Sequence, residues 1–258
     1  MSAFNDVMKK YMENANSDSV GFGLEAPLYR RVAALGNIPV SAAGVDVWPG
    51  ASLYPFKTTA TTMEVFSVNA ADTNGGTGAW TIQVNGLDQD YNEKSEVITL
   101  NGASAAMSAT TYIAINSAFV LTSGSGFTNA GDINIRDSGG GTVRQIIKAG
   151  YGNTRSSVYT VPAGYTLSDI STFGCINRIA AGGQINYVTM ATGQRSSTGN
   201  VRLPLEFTFS SGQPYRHDAV PGIITQEKQS FFLRCNAQSA AVDVTGAWLG
   251  VLKKNNPT

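Results

Sequence analysis

Between Gly76 and Gly102 the chain reads GTGAWTIQVNGLDQDYNEKSEVITLNG, and this stretch forces a strand-and-turn architecture. Trp80, Ile82 and Val84 alternate with Thr81, Gln83 and Asn85. A period of two places one set on each face of an extended strand, whereas a helix would need apolar residues every three or four positions. Residues 86–92 supply Gly, Asp and Asn, which turn a chain. Residues 93–100 are a second β-favouring run, closed by the tight-turn dipeptide Asn101-Gly102. No residue pattern in the stretch carries a chemical motif.

The same grammar recurs along the chain. Alternating runs at 64–68, 80–85, 93–100, 112–121, 132–136 and 143–148 predict strands spaced about ten residues apart, as in a β-sandwich. Residues 150–157 are polar, with Gly and Ser, and mark a boundary. Beyond it the pattern restarts at 158–161, 165–170, 185–189, 231–236 and 242–252. The cleanest strand sets Leu203, Leu205, Phe207 and Phe209 against Pro204, Glu206, Thr208 and Ser210. With 258 residues, two small sandwiches fit the length. The expected fold is all-β. Two consecutive sandwiches, jelly-roll or Ig-like, cover 63–150 and 151–258, and a helix and extended arm precede them over 1–62.

The N-terminal part departs from this grammar. Phe4, Val7, Met8, Tyr11 and Met12 fall on one stripe of a helix over residues 3–14, with Ser2 as N-cap and Lys9, Lys10 and Glu13 on the other side. So short a helix is marginal alone and needs a surface. That surface is either its own domain or another subunit. In residues 20–62, Gly and Pro interrupt any long regular element, yet Phe22, Leu24, Leu28, Trp48 and Phe56 persist. A polar linker would not carry them. The segment reads as an arm draped over a surface, or as short edge strands with long turns. The residues expected to bind a partner are Phe4, Val7, Met8, Tyr11, Met12 and Trp48.

Composition narrows the function. Lys plus Arg and Asp plus Glu balance at 18 each, so the basic excess of a nucleic-acid binder is missing. Charged residues make up 14%, against a usual share of about 25%. Weak self-repulsion suits a protein that packs against neighbours. No apolar run reaches the roughly 20 residues of a membrane span. The N-terminus lacks a secretory apolar core, so a soluble protein made in a cytoplasm is expected. Cys175 and Cys235 both lie in predicted strands and read as buried thiols, with a disulfide as the alternative.

Catalytic patterns are absent where the residue types for them occur. His217 has Asp218 beside it, but adjacent residues in extended chain point apart, so it reads as a loop histidine between Pro214 and Pro221. Asp88, Asp90 and Asn92 imitate the start of a calcium loop. However, Glu93 stands where Gly is required and Thr99 where Glu is required. Residues 137–141 form a hairpin tip without the Lys of a phosphate loop. Tyr151, Tyr165 and Tyr215 can stack on a sugar or fill sheet edges. No catalytic, cofactor or metal residue is expected, and the chain reads as a non-enzyme.

The block at 76–102, IRDSGGGTVRQIIKAGYGNT and VYTVPAGYTLSDIS together resemble segments of tailed-bacteriophage virion proteins. The resemblance spans roughly residues 20–252 and rests on phrasing, not on an active-site motif. It implies a virion component similar to capsid cement, head-fibre or tail-adaptor proteins, commonly trimers of β-sandwiches, assembled in the host cytoplasm. The implied partners are further copies of the chain and the major capsid protein or other virion proteins, with no nucleic acid and no membrane. A tail, baseplate or head-fibre component touching the host is one alternative. A carbohydrate-binding module or depolymerase acting on host surface glycan is another.

Overall fold

A computed structural model describes residues 29–40, 44–178, 185–211, 213–237 and 242–255. The predicted helix at 3–14, with Phe4, Val7, Met8, Tyr11 and Met12, lies outside them. In chain order the strands begin with β1 (Tyr29–Val40), β2 (Val45–Asp46), β3 (Thr61–Ser67), β4 (Ala79–Leu87) and β5 (Glu93–Thr99). Then come β6 (Ala106–Tyr112), β7 (Ala114–Ser123), β8 (Ile133–Asp137), β9 (Val143–Ile147) and β10 (Tyr159–Thr160). The chain ends with β11 (Tyr165–Arg178), β12 (Tyr187–Arg195), β13 (Val201–Ser210), β14 (Tyr215–Thr225), β15 (Ser230–Ala237) and β16 (Val242–Lys254). Among the described residues there is no helix, and every strand pairing is antiparallel.

Two sheets come from residues 61–147 alone. One has the order β6-β3-β8-β9 and the other β5-β4-β7. Their inward side chains, among them Met63, Val65, Ile82, Val84, Ile98, Tyr112, Ile133, Ile135 and Ile147, form one core. The alternation in β4 holds from Ile82 onward, with Ile82 and Val84 fully buried. Trp80 departs from it. Irregular register between Ala79 and Ile82 breaks the alternation there, so the half-buried indole instead donates to the Gly76 carbonyl at 2.6 Å.

The other two sheets draw on both ends of the described chain. One has the order β1-β16-β11-β14, and the second β10-β15-β12-β13 with β2 paired to β15. Ile38, Val40, Val47, Leu167, Met190, Phe207, Phe209, Phe231, Leu233, Val244 and Trp248 interleave in their shared core. Residues 29–40, in the segment read as an arm or as short edge strands, take the second form among the described residues, though at greater length. They form a 12-residue strand paired with β16 along its whole length, from Tyr29 opposite Lys253 to Val40 opposite Val242. Val32, Ala34, Ile38 and Val40 face the core, a period of two that Gly36 and Pro39 hide in the sequence. Both residues are compatible with a strand here. Among the described residues β1 is the last strand of its sheet, where Pro is tolerated. A Cβ on Gly36 would meet Val47 Cγ1 at 2.5 Å, so only glycine lets the chain pass that closely.

A third cluster sits where the two pairs of sheets meet. Trp48, Tyr54, Val158 and Phe232 are buried there, with Phe56 packed against them. Trp48 meets Tyr54 edge-on at 5.2 Å, and Tyr54 meets Phe56 at 4.8 Å. Asp46 is fully buried, binds Arg234 at 2.7 Å and accepts from the Tyr54 amide at 2.8 Å. These contacts hold the connection between β2 and β3 against the core.

Candidate functional site

A broad concavity among the described residues follows from this arrangement. An open trench of about 710 Å³ runs beside β1. Ala33, Ala34 and Leu35 of β1 and Ala247 and Trp248 of β16 form one wall. Residues 116–119 of β7 and 153–156 form the other. A second hollow of about 350 Å³ shares Asn116 and Ser117 with it and extends past Arg30, Glu93, Lys94 and Tyr159.

The two walls differ in how their strand edges are used. Among the described residues β1 and β7 are both terminal strands of their sheets. The β7 edge is covered, because the Val120 amide donates to Gly152 at 2.7 Å and the Thr154 amide donates to Ala118 at 2.8 Å. Among the described residues β1 has a single strand neighbour, β16. The floor is pinned by Asn116, whose side chain donates to the Thr160 carbonyl at 2.9 Å and accepts from the Thr160 amide at 2.8 Å. Trp248 is anchored through an indole hydrogen bond to the Ser157 carbonyl at 2.8 Å.

Arg155 lines the trench, its guanidinium over the Tyr151 ring, and the second hollow holds an internally paired charge. Arg30 and Glu93 form an ion pair at 2.8 Å, and the Arg30 guanidinium lies 4.7 Å over the Tyr165 ring. Burial works against the Arg30 charge, but the hydrogen bond and charge of Glu93 outweigh it and hold the guanidinium above its ordinary value. Burial pushes the Tyr159 phenol up, so it stays neutral at any ordinary pH. The trench lies in the size range of ligand and peptide sites.

A smaller cavity of about 20 Å³ at the sheet-pair junction holds about one water, with Lys57, Arg144, Tyr54 and Phe56 around it. Nearby, Asp137 accepts from Lys57 at 2.6 Å and is bound by Arg144. Burial would raise its carboxyl, yet the two cations hold it below the usual carboxylate range.

The residues singled out from sequence are placed as follows. Trp48 is 3% exposed, and its indole donates to the Ser52 carbonyl at 2.9 Å. It therefore faces the chain's own core, not a partner. Cys175 and Cys235 are both free thiols, with Cys235 buried and Cys175 partly so. His217 lies within β14 rather than in a loop, opposite Thr172 of β11. Asp218 pairs with Arg216 at 2.8 Å. Asp88 closes a turn by accepting from the Asp90 and Asn92 amides at 3.0 and 2.9 Å. Tyr215 stacks on Phe207 at 4.1 Å, and Tyr151 lies under Arg155 at 3.8 Å.

One buried acid had no sequence signal. Asp169 of β11 is fully buried. It accepts from the Thr172 hydroxyl at 2.9 Å, and its second oxygen, Oδ1, has no partner. Burial pushes its carboxyl up to about 6, against the opposing pull of Thr172 and His217. The strand irregularity between Asp169 and Ser171 turns this side chain inward, and no local pattern announces such a break.

No protein-family model and no curated protein matches the chain. Among solved structures it is weakly similar to infectious bursal disease virus. The Gt strain structure aligns at 10% identity and a TM-score of 0.25, over 91% of this chain and 74% of that one. The Gx strain structure aligns at 11% identity and a TM-score of 0.26, over 89% and 73%. A crystal structure of the VP2 subviral particle aligns at 8% identity and a TM-score of 0.17, over 96% and 83%. Likeness this slight transfers neither topology nor role, and the functional reading below rests on the chain's own residues.

Proposed function

We propose that the chain is a non-enzymatic structural subunit of a virus particle, and specifically a cement or decoration protein on the head of a tailed phage, working as a homotrimer. On this reading each pair of sheets is a β-sandwich, and residues 1–19 are the arm that reaches the neighbouring virion protein. Adhesion between apolar surfaces does the work, with interfaces of roughly 1,600 Å² or more per contact. The observation that supports it is the character of the main trench. Its walls combine Ala, Leu, Phe and Trp with hydroxyl and amide side chains and one cation, Arg155, and in the adjoining hollow Arg30 and Glu93 neutralise each other. Exposed apolar side chains such as Leu35 and Leu203 add to the adhesive surface.

Particle incorporation tests this. A chain lacking residues 1–19 is expected to fold and to stay off purified particles, while the full chain co-purifies with heads. Full incorporation of the truncated chain would rule out the arm. Co-purification with tails would move the protein to the tail or baseplate. Release of reducing sugar from host glycan would replace the structural reading with a depolymerase.

A further inference from the structure

We propose that the small cavity where the two pairs of sheets meet is a binding site for one carboxylate group. Over the whole chain cations and acids balance at 18 each. At this cavity they do not. Lys57, Arg144, Arg195 and Lys228 all line it, and among the described residues Asp137 is the one carboxylate bound to any of them. Asp137 is engaged by Lys57 and Arg144 together. Arg195 and Lys228 rest instead on aromatic faces, Arg195 at 4.9 Å over Phe56 and Lys228 at 6.0 Å over Tyr91. A ring face attracts a cation but accepts no hydrogen bond along the plane of a guanidinium, so the in-plane donors of Arg195 are left for an oxygen acceptor. Burial holds the Arg195 guanidinium below its ordinary value, opposed only by the Tyr91 phenol. Burial lowers the Lys57 ammonium too, in spite of Asp137. A bound anion compensates charges held in this way out of water.

The backbone fixes the approach. Tyr91 and Lys228 have φ of 67° and 63°, the left-handed region that non-glycine residues enter at a cost. One loop holds both. The Ala163 amide donates to the Tyr91 carbonyl at 2.9 Å, and the Lys228 amide donates to the Val161 carbonyl at 2.9 Å. Lys228 is exposed and Tyr91 and Arg195 are partly so, which gives a ligand a route in. Size then selects the ligand. About 20 Å³ admits a head the size of one water, too small for a sugar, a phosphate ester or a nucleotide. A planar carboxylate fits and can take two bonds from the guanidinium fork, which a halide cannot. Its source is either a free small acid or an Asp or Glu side chain of a second copy.

Sodium acetate and sodium chloride, each titrated into the full chain at constant ionic strength on a sodium fluoride background, test this by NMR. Acetate is expected to shift the Tyr91, Arg195 and Lys228 amides saturably, and chloride is not. Arg195→Met keeps an apolar stem on Phe56 and removes the charge. It should weaken acetate binding at least about tenfold. Lys228→Gln changes an exposed side chain, so it should fold as the parent does and weaken binding about threefold. Saturation of a monomer would identify a free acid as the ligand. Self-association in sedimentation that acetate reverses and Arg195→Met abolishes would identify a side chain of a second copy. An equal response to chloride would overturn the carboxylate assignment. Acetate binding unchanged in both variants, or no saturable shift in the full chain, would overturn the site itself.

Discussion

The two pairs of sheets solve the same packing problem with different chain logistics. The pair built from residues 61–147 is sequence-local, and its core is largely aliphatic, with Tyr112 as the one large aromatic among its buried members. The other pair must bring Tyr29 beside Lys253, and its core mixes Phe207, Phe209, Phe231 and Trp248 with the nearby buried polar groups Asp169, Thr172, Gln194 and Thr225. Closing a loop that long costs little more free energy than closing a moderate one, since the cost grows only logarithmically, but it slows folding. The lesson is a division of labour. The local pair supplies an inserted, self-sufficient body. The split pair ties the ends of the described chain together and carries the less uniform core.

Perturbing each pair separately tests that division. Trp248→Ala should be the most damaging change. It removes edge contacts to Phe231 at 5.0 Å and Tyr159 at 6.0 Å and the hydrogen bond to Ser157. A loss of about 3–5 kcal/mol is expected in urea unfolding of the split pair, with the 61–147 pair unmoved. Ile135→Ala empties a fully buried site in the local pair. It should cost about 2–4 kcal/mol and move only that pair's transition. If either substitution shifts both transitions equally, the two pairs unfold as one body and the division fails.

Asp169 gives a pH signature to the split pair alone. Its carboxyl is raised from 3.8 to about 6 in the folded chain. Above about 6 the folded chain carries a buried charge that disfavours it. As pH falls through about 6 towards about 4, the folded form takes up a proton that the unfolded form has not yet bound, and stability rises. The gain is at most about 3 kcal/mol, so the split pair should be more stable at pH 5 than at pH 8. Asp169→Asn should flatten that difference and stabilise the pair at pH 8, as read by denaturant midpoints. The smallest effect is expected at the seam. Glu93→Gln removes the half-exposed ion pair with Arg30 and should cost less than about 1 kcal/mol, a difference that disappears in high salt.

Much of this architecture is readable in the residues. Strands with unbroken alternation, such as Ile82 to Val84 and Leu205 to Phe209, stand where the pattern puts them, because a period of two needs no tertiary information. β1 is hidden by Gly36 and Pro39, each of which breaks a strand unless its surroundings excuse it; Gly36 answers the close approach of Val47, and the ladder that holds Pro39 is with β16, more than 200 residues away. β14 is hidden by Pro221-Gly222 in the same way. A Cβ on Gly222 would meet the Asp169 carbonyl at 1.8 Å, so glycine there answers a close approach from another strand, not a turn. β6 escapes notice because AMSATTY offers small residues rather than a clear apolar face. The trench is not legible at all, since its walls come from β1, β7 and β16, which share no local signal. Trp48 misleads for a related reason. An aromatic in irregular chain suggests an exposed anchor, whereas the segment around it folds into the junction with Tyr54 and Phe232.

The ladder between β1 and β16 also sets how the molecule responds to force. Tyr29 and Lys253 sit opposite each other at the same end of that ladder. A pull applied through these two points loads the cross-strand bonds one after another, like opening a zipper, instead of all at once in shear. Tension along the chain would therefore peel β1 away at low load while the inserted body at 61–147 stays slack. A tether or display tag at either end would sit at this mechanically weak corner.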